Sequence, residues 1–315
     1  MGGSLRFAKI AGKPRKLFRM TGLSVEQFET LSERLEPLWK EAERQRLSRP
    51  DRKYAIGGGR KYALPAIEDK LLPILVFYRF YLSDEMLGWV FGLDGSNLCR
   101  LRAKMEPVLE KAADPSLAIP LRLKIPKGAK KISTPEELLR VCPDFAEILT
   151  DATEQQRQRP AKKTQRKWYS GKKKRHTVKT QLTVNREGRI LDISKSFPGH
   201  VHDYEIFKTE GTAKKLPAAA GHYVDKGYDG AQKDYPGAHM IVPFKKRRNH
   251  RTLTLAEKRF NKKHSRIRIL IEHVLSRMKK YQILYQVYRH RIEDYGQRFR
   301  NIAALTNFRL ATMAV

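Results

Sequence analysis

Cysteine is nearly absent from this chain of 315 residues, which holds only Cys99 and Cys142. Two thiols so far apart exclude a disulfide framework and a zinc cluster, and they fit a reducing compartment. Long hydrophobic runs are missing too. The longest, at 71–77, is too short to cross a bilayer, and residues 1–12 lack the apolar stretch of a signal peptide. The expectation is a cytosolic or nucleoid-associated protein with no membrane partner. Acidic charge is scarce: 33 Asp and Glu stand against 65 Lys and Arg, a formal net charge of +32. A phosphate backbone is the natural counter-charge. A ribosomal or RNA-packaging protein would share that excess, but not the acids framed by apolar residues described below. The length leaves room for two or three domains with cores of their own.

Residues 1–62 read as a basic helical region. Ser24 caps a helix with Phe28, Leu31, Leu35 and Leu38 at helical spacing, and Gly57, Gly58 and Gly59 sit among cations as a linker. Across 63–112 the pattern predicts three short helices, at 67–81, 83–91 and about 96–105, with a tight turn at 92–95. The last two have the form of a helix-turn-helix whose second helix offers Asn97, Arg100 and Arg102 to a major groove. An ordinary helical hairpin covering a core is the alternative. Residues 113–145, with prolines at 115, 120, 126, 135 and 143, read as a connector. From 146 to 315 the character is α/β. A strand ends at Asp151, a hairpin of strands 176–184 and 190–197 turns at 186–188, and a short helix occupies 203–209. Strands at 222–225 and 240–244 follow, then a long helix at about 255–280 capped by Thr254 and Glu257. A last helix within 292–310 closes the core or serves as a dimer surface.

Three acids stand out. Asp151 closes Ile148-Leu149-Thr150-Asp151, Asp225 closes His222-Tyr223-Val224-Asp225, and Glu272 ends Arg268-Ile269-Leu270-Ile271-Glu272, with Lys279 following on the same helical face. Solvated surface carboxylates are not expected in such settings, and three of them suit two divalent cations. Phosphodiester hydrolysis needs a more acidic water and a stabilised leaving oxygen, and two ions about 3.5–4 Å apart supply both. Hard carboxylate oxygens select Mg²⁺ or Mn²⁺. Asp203 reads instead as a helix cap, and Asp192 and Asp229 as structural or solvated groups; His200 and His202 are too isolated for zinc.

The order of strands, helix, strand and later helix, with acids on the first strand, the fourth strand and the long helix, resembles the ribonuclease H-like fold of DDE transposases. The local words agree: Thr150-Asp151-Ala152-Thr153-Glu154, residues 169–176, Pro198-Gly199-His200-Val201-His202-Asp203 and Asp225-Lys226-Gly227-Tyr228. Together they look like transposases of bacterial insertion sequences in the branch related to PIF/Harbinger elements. Arg268, Glu272 and Lys279 match the arginine-glutamate-lysine part of a motif of related transposases, whereas Ser265 stands where that motif has tyrosine. The resemblance implies a ribonuclease H-like catalytic domain, a mixed sheet flanked by helices, preceded by a helical DNA-binding region. It implies Asp151, Asp225 and Glu272 as ligands of two Mg²⁺ or Mn²⁺ ions, with Asp151 bridging both, and Arg268 and Lys279 as further catalytic residues. The partners implied are double-stranded DNA, as terminal inverted repeats and target, and a second copy or more of the chain. The rival reading is a catalytically idle, transposase-derived DNA-binding protein.

Two basic stretches complete the expected DNA surface. Trp168 and Tyr169 lie in a Lys/Arg-dense segment with Lys172, Lys173, Lys174 and Arg175, suited to stacking on a base while cations track the backbone. Lys245, Lys246, Arg247, Arg248 and Arg251 form a second loop, read as a phosphate-positioning patch.

Overall fold

A computed structural model describes residues 4–48, 62–246 and 252–313; the expected glycine linker and Arg247, Arg248 and Arg251 lie outside them. The chain divides into two compact units. One comprises Met1–Ala118, Lys279–Gln286 and Gln297–Val315; the other comprises Ile119–Met278 and Val287–Gly296.

The first unit is helical, with α1 (Phe7–Ala11), α2 (Pro14–Thr21), α3 (Val25–Leu47), α4 (Ile67–Phe80), α5 (Asp84–Phe91) and α6 (Gly95–Ala113). Ser24 and Gln27 form a reciprocal capping box that starts α3. Its Phe28, Leu31 and Leu35 are fully buried, and the Phe28 ring stacks on Phe7 at 4.6 Å. Between α5 and α6 the chain turns so tightly that a Cβ on Gly88 would lie 2.4 Å from the Leu93 carbonyl oxygen. Gly92 ends α5 with φ +65°. Helix α6 runs past the expected end at 105. Its Glu106, Glu110 and Asp114 repeat every fourth residue and meet a complementary row on the C-terminal helix: Arg298 Nε at 2.9 Å, Arg300 Nη2 at 2.6 Å and Asn307 Nδ2 at 2.7 Å. Buried carboxylates persist only when paired, so this ladder holds residues 297–313 to the helical unit.

The second unit opens with α7 (Leu121–Lys124) and α8 (Pro135–Val141). They lie in the segment that the sequence reads as a connector. Leu121, Ile125, Leu138 and Phe145 share a buried cluster with Ile148 and Leu191, so the proline-rich segment is part of the α/β core. The sheet holds β1 (Glu147–Gln156), β2 (Tyr169–Ser170), β3 (Arg175–Asn185), β4 (Ile190–Pro198), β5 (Gly221–Tyr223) and β6 (Met240–Ile241). Helix α9 (Gln165–Trp168) leads into β2; α10 (Asp203–Glu210), α11 (Ala231–Asp234), α12 (Leu255–Lys279) and α13 (Tyr295–Met313) complete the chain. β3 pairs antiparallel with β1, β2 and β4, while β1, β5 and β6 run parallel. The hairpin of β3 and β4 turns as expected, at Gly188 with φ +79°. β3 is buried along nearly its whole length, the mark of a central strand covered on both faces. Neighbours along a strand point to opposite faces. On β5, His222 meets Phe207 of α10 at 5.2 Å and Tyr223 meets His264 of α12 at 5.7 Å, which puts the two helices on opposite sides of the sheet.

Candidate active site

Asp151 and Asp225 meet where β1 outruns β5. Thr150, just before Asp151, lies with its hydroxyl 2.7 Å from His222 Nε2 on β5 and 3.0 Å from the Thr183 hydroxyl on β3, so three strands are pinned side by side under the site. His222 is fully buried and burial pushes its pKa down to about 3, which keeps it neutral. Asp151 then projects from β1, and Asp225 follows β5 two residues beyond its end.

Arg268 of α12 joins the two acids. Its Nη2 donates to Asp151 Oδ2 at 2.7 Å and its Nη1 to Asp225 Oδ1 at 3.0 Å. Asp151 Oδ1 accepts the backbone amide of Ala152 at 2.9 Å. Burial pushes the Asp151 carboxyl up to about 6 although the Arg268 charge draws it down. Asp225 differs: its side chain is 51% exposed, against 21% for Asp151. On α12 the stripe His264, Arg268, Ile271, Val274 and Met278 is buried, and Glu272 lies beside it, exposed, one turn beyond Arg268. The expectation that all three carboxylates avoid solvent therefore holds for Asp151 alone. Lys279 is the last residue of the same helix.

The donor chemistry suits a divalent cation at Asp151 and Asp225, where one guanidinium already serves two carboxylates. Glu272 does not join them. Among the described residues no three acidic, His or Cys side chains are grouped closely enough to hold a metal ion. Asp203 is not a side-chain cap: it is the first residue of α10 and pairs with the buried Lys179 at 2.9 Å. Tyr228 was not singled out from the sequence. It is 1% exposed, its hydroxyl has no hydrogen-bond partner among the described residues, and burial together with the charges of Asp151 and Asp203 raises its pKa.

The expected DNA-contacting residues separate by face. Asn97 and Arg100 are exposed on α6, and Arg100 Nη1 donates to Asn97 Oδ1 at 3.2 Å. Arg102 is 3% exposed; it pairs with Asp84 at 2.6 Å and lies 4.1 Å over the Phe77 ring, so it is a core residue and not a groove reader. The signal was present, because Leu98, Arg102, Met105 and Leu109 fall on one helical stripe. Lys172, Lys173, Lys174 and Arg175 are exposed where β2 turns into β3. The half-buried Trp168 carries the Arg157 guanidinium 4.3 Å over its ring, and Tyr169 is exposed. Lys245 and Lys246 are exposed beyond Phe244, whose backbone N–H donates to Asn261 Oδ1 and whose carbonyl accepts from Asn261 Nδ2.

A mixed sheet in this order, with one acid within β1, another just past the neighbouring parallel β5 and a basic long helix against them, is the catalytic core of a ribonuclease H-like nuclease. Residues 150–307 match the DDE superfamily endonucleases, and the chain belongs to that family. Over 302 residues, 95% of this chain and 96% of the relative, it is 30% identical to a protein of Microchaete diplosiphon described as a transposase for insertion sequence element IS702. Over 232 residues, 73% of this chain and 75% of the relative, it is 24% identical to one of Streptomyces albus G described as a transposase for element IS112. No solved structure matches the chain. The chain is thus of the insertion-sequence transposase kind, and no helix among its described residues is long and apolar enough to cross a membrane.

Proposed function

We propose that this protein binds the terminal inverted repeats of its element, hydrolyses the phosphodiester at the element ends and joins the freed 3′-hydroxyls to target DNA. The observation that carries the reading is the meeting of Asp151 and Asp225, far apart in sequence, at one basic side chain from the long helix. Asp151, Asp225 and Glu272 are the residues that would hold two Mg²⁺ or Mn²⁺ ions, with Glu272 brought in by a side-chain or helix movement. Bound there, the ions would make an attacking water more acidic and neutralise charge on the leaving oxygen.

The protein's own groups supply the rest. Arg268 and Lys279 present cations along one helix to the scissile phosphate. Lys172, Lys173, Lys174, Arg175, Lys245 and Lys246, with Arg247 and Arg248, hold the backbone on either side, and Trp168 and Tyr169 offer rings to an unstacked base. Helices α5 and α6 act as a helix-turn-helix in which Asn97 and Arg100 read base edges. The active form contains at least two copies of the chain, since two element ends must be cut and joined together. Asp151→Asn, Asp225→Asn and Glu272→Gln are expected to abolish nicking of end-bearing DNA while retaining its binding. Nicking by any one of these at the wild-type rate removes that residue from the site. If the wild-type protein binds the repeats and never cuts, it is a catalytically idle relative.

A further inference from the structure

Arg268 does more than lie beside the acids. Its two terminal nitrogens each take a different carboxylate, at 2.7 Å on Asp151 Oδ2 and 3.0 Å on Asp225 Oδ1, so the planar fork spans the pair. The other oxygen of Asp151 is held by the Ala152 amide. Protein donors therefore engage both oxygens of Asp151, the more buried acid of the pair. The arginine is itself 9% exposed, and its Nε is buried without a hydrogen-bond partner. A cation serving only to touch a passing phosphate would keep its head in water, because desolvating a guanidinium is costly unless it is fully paired. Here the head is drawn inward, and what draws it is the attraction of two neighbouring carboxylates, one within β1 and one just past β5.

We infer that Arg268 is the positioning residue that preassembles the acid pair, and that a divalent cation enters the site by displacing it. The inference rests on the metal-dependent reading above. A guanidinium and a divalent ion compete for the same two oxygens, Asp151 Oδ2 and Asp225 Oδ1, and like charges do not share them at contact distance. Until the ion arrives, Arg268 keeps the carboxylates facing one point. Once displaced, it retains its charge and its place one turn before Glu272, where phosphate oxygens of the substrate are its natural new partners. One side chain then serves in turn as counter-ion and as phosphate clamp, which couples metal loading to substrate engagement. A purely structural ion pair would contribute to stability and leave metal affinity unchanged.

The test titrates Mn²⁺ into the full-length protein without DNA at pH 8 by calorimetry, for wild type, Arg268→Met and Arg268→Lys. Met removes the charge and keeps the apolar stem, whereas Lys reaches one carboxylate at a time. The Met variant is expected to bind Mn²⁺ at least about tenfold more tightly than wild type, with Lys between them. Equal or weaker binding by the Met variant overturns the inference. Asp151→Asn separates the two readings. If it leaves Mn²⁺ binding at the wild-type level, the metal site itself is misplaced; if it abolishes binding while the Arg268 variants bind as wild type does, only the displacement fails. Should the Met variant not fold, nitrogen-15 spectra of arginine side chains in the wild type decide. The slowed, resolved Nη signals of Arg268, identified by their loss in the Lys variant, are expected to collapse on saturation with Mg²⁺, and their persistence overturns the proposal.

Discussion

Asp151→Asn is expected to make the protein more stable when divalent cations are withheld. Burial holds the wild-type carboxyl at about 6 against an ordinary 3.8, even with Arg268 pulling the other way. That difference corresponds to about 3 kcal/mol of cost to the charged form. The side chain keeps 21% exposure, and asparagine leaves Arg268 with Asp225 as its one acidic partner, so the expected gain is about 1–2 kcal/mol. The dependence on pH follows from the sign. A carboxyl raised in the folded state binds its proton there first, so the wild-type native state is helped as pH falls through 6. The gap between variant and wild type is therefore full above pH 6 and closes toward pH 4. Urea unfolding in EDTA at pH 8 and pH 4.5 measures it. With divalent cation at about 100 times its Kd the wild type regains about 2.7 kcal/mol, and the order reverses. A variant less stable than wild type at pH 8 in EDTA, or a gap that persists at acid pH, refutes the reasoning.

Arg102→Ala removes the paired guanidinium beside Asp84 and empties the space over Phe77, with an expected loss of about 2–4 kcal/mol in the melting of the helical unit. Asn97→Ala and Arg100→Ala are expected to erode the preference for repeat over scrambled duplex by about 1–3 kcal/mol each, measured by competitive binding; equal losses on both duplexes would return α6 to a structural role. Lys245→Ala and Lys246→Ala are expected to weaken binding to all DNA alike and to reduce the log–log salt slope by about 0.9 for each phosphate no longer neutralised, read from titrations at several salt concentrations. His222, held neutral by burial with its pKa at about 3, contributes stability that is lost as pH falls below 6.5, so His222→Gln is expected to flatten the acid limb of the stability profile.

The strands around Asp151 and Asp225, the hairpin at Gly188 and the cap of α12 were legible in the sequence because each depends on neighbours a few residues away. Alternation, turn glycines and the Thr254–Glu257 box are local signals that the structure repeats, but the strand expected to end at Asp151 runs on to Gln156, because its pairing with β3 continues past the acid. Excess positive charge and the family words likewise needed no third dimension. What a helical face packs against is a different kind of fact. The pattern at 292–310 announces a buried stripe, but only the tertiary structure shows that Arg298, Arg300 and Asn307 answer the acid ladder of α6 and so take residues 297–313 to the helical unit. Periodicity likewise put Arg102 among the cations of a groove-facing helix, whereas Asp84 and Phe77 enclose it. The fork of Arg268 over Asp151 and Asp225 unites three elements of the chain. Sequence by itself determined most of the elements and which carboxylates lie on or just past the strands. Only the tertiary structure decided which charges neutralise each other, because ion pairing and desolvation depend on distances through space that no spacing along the chain encodes.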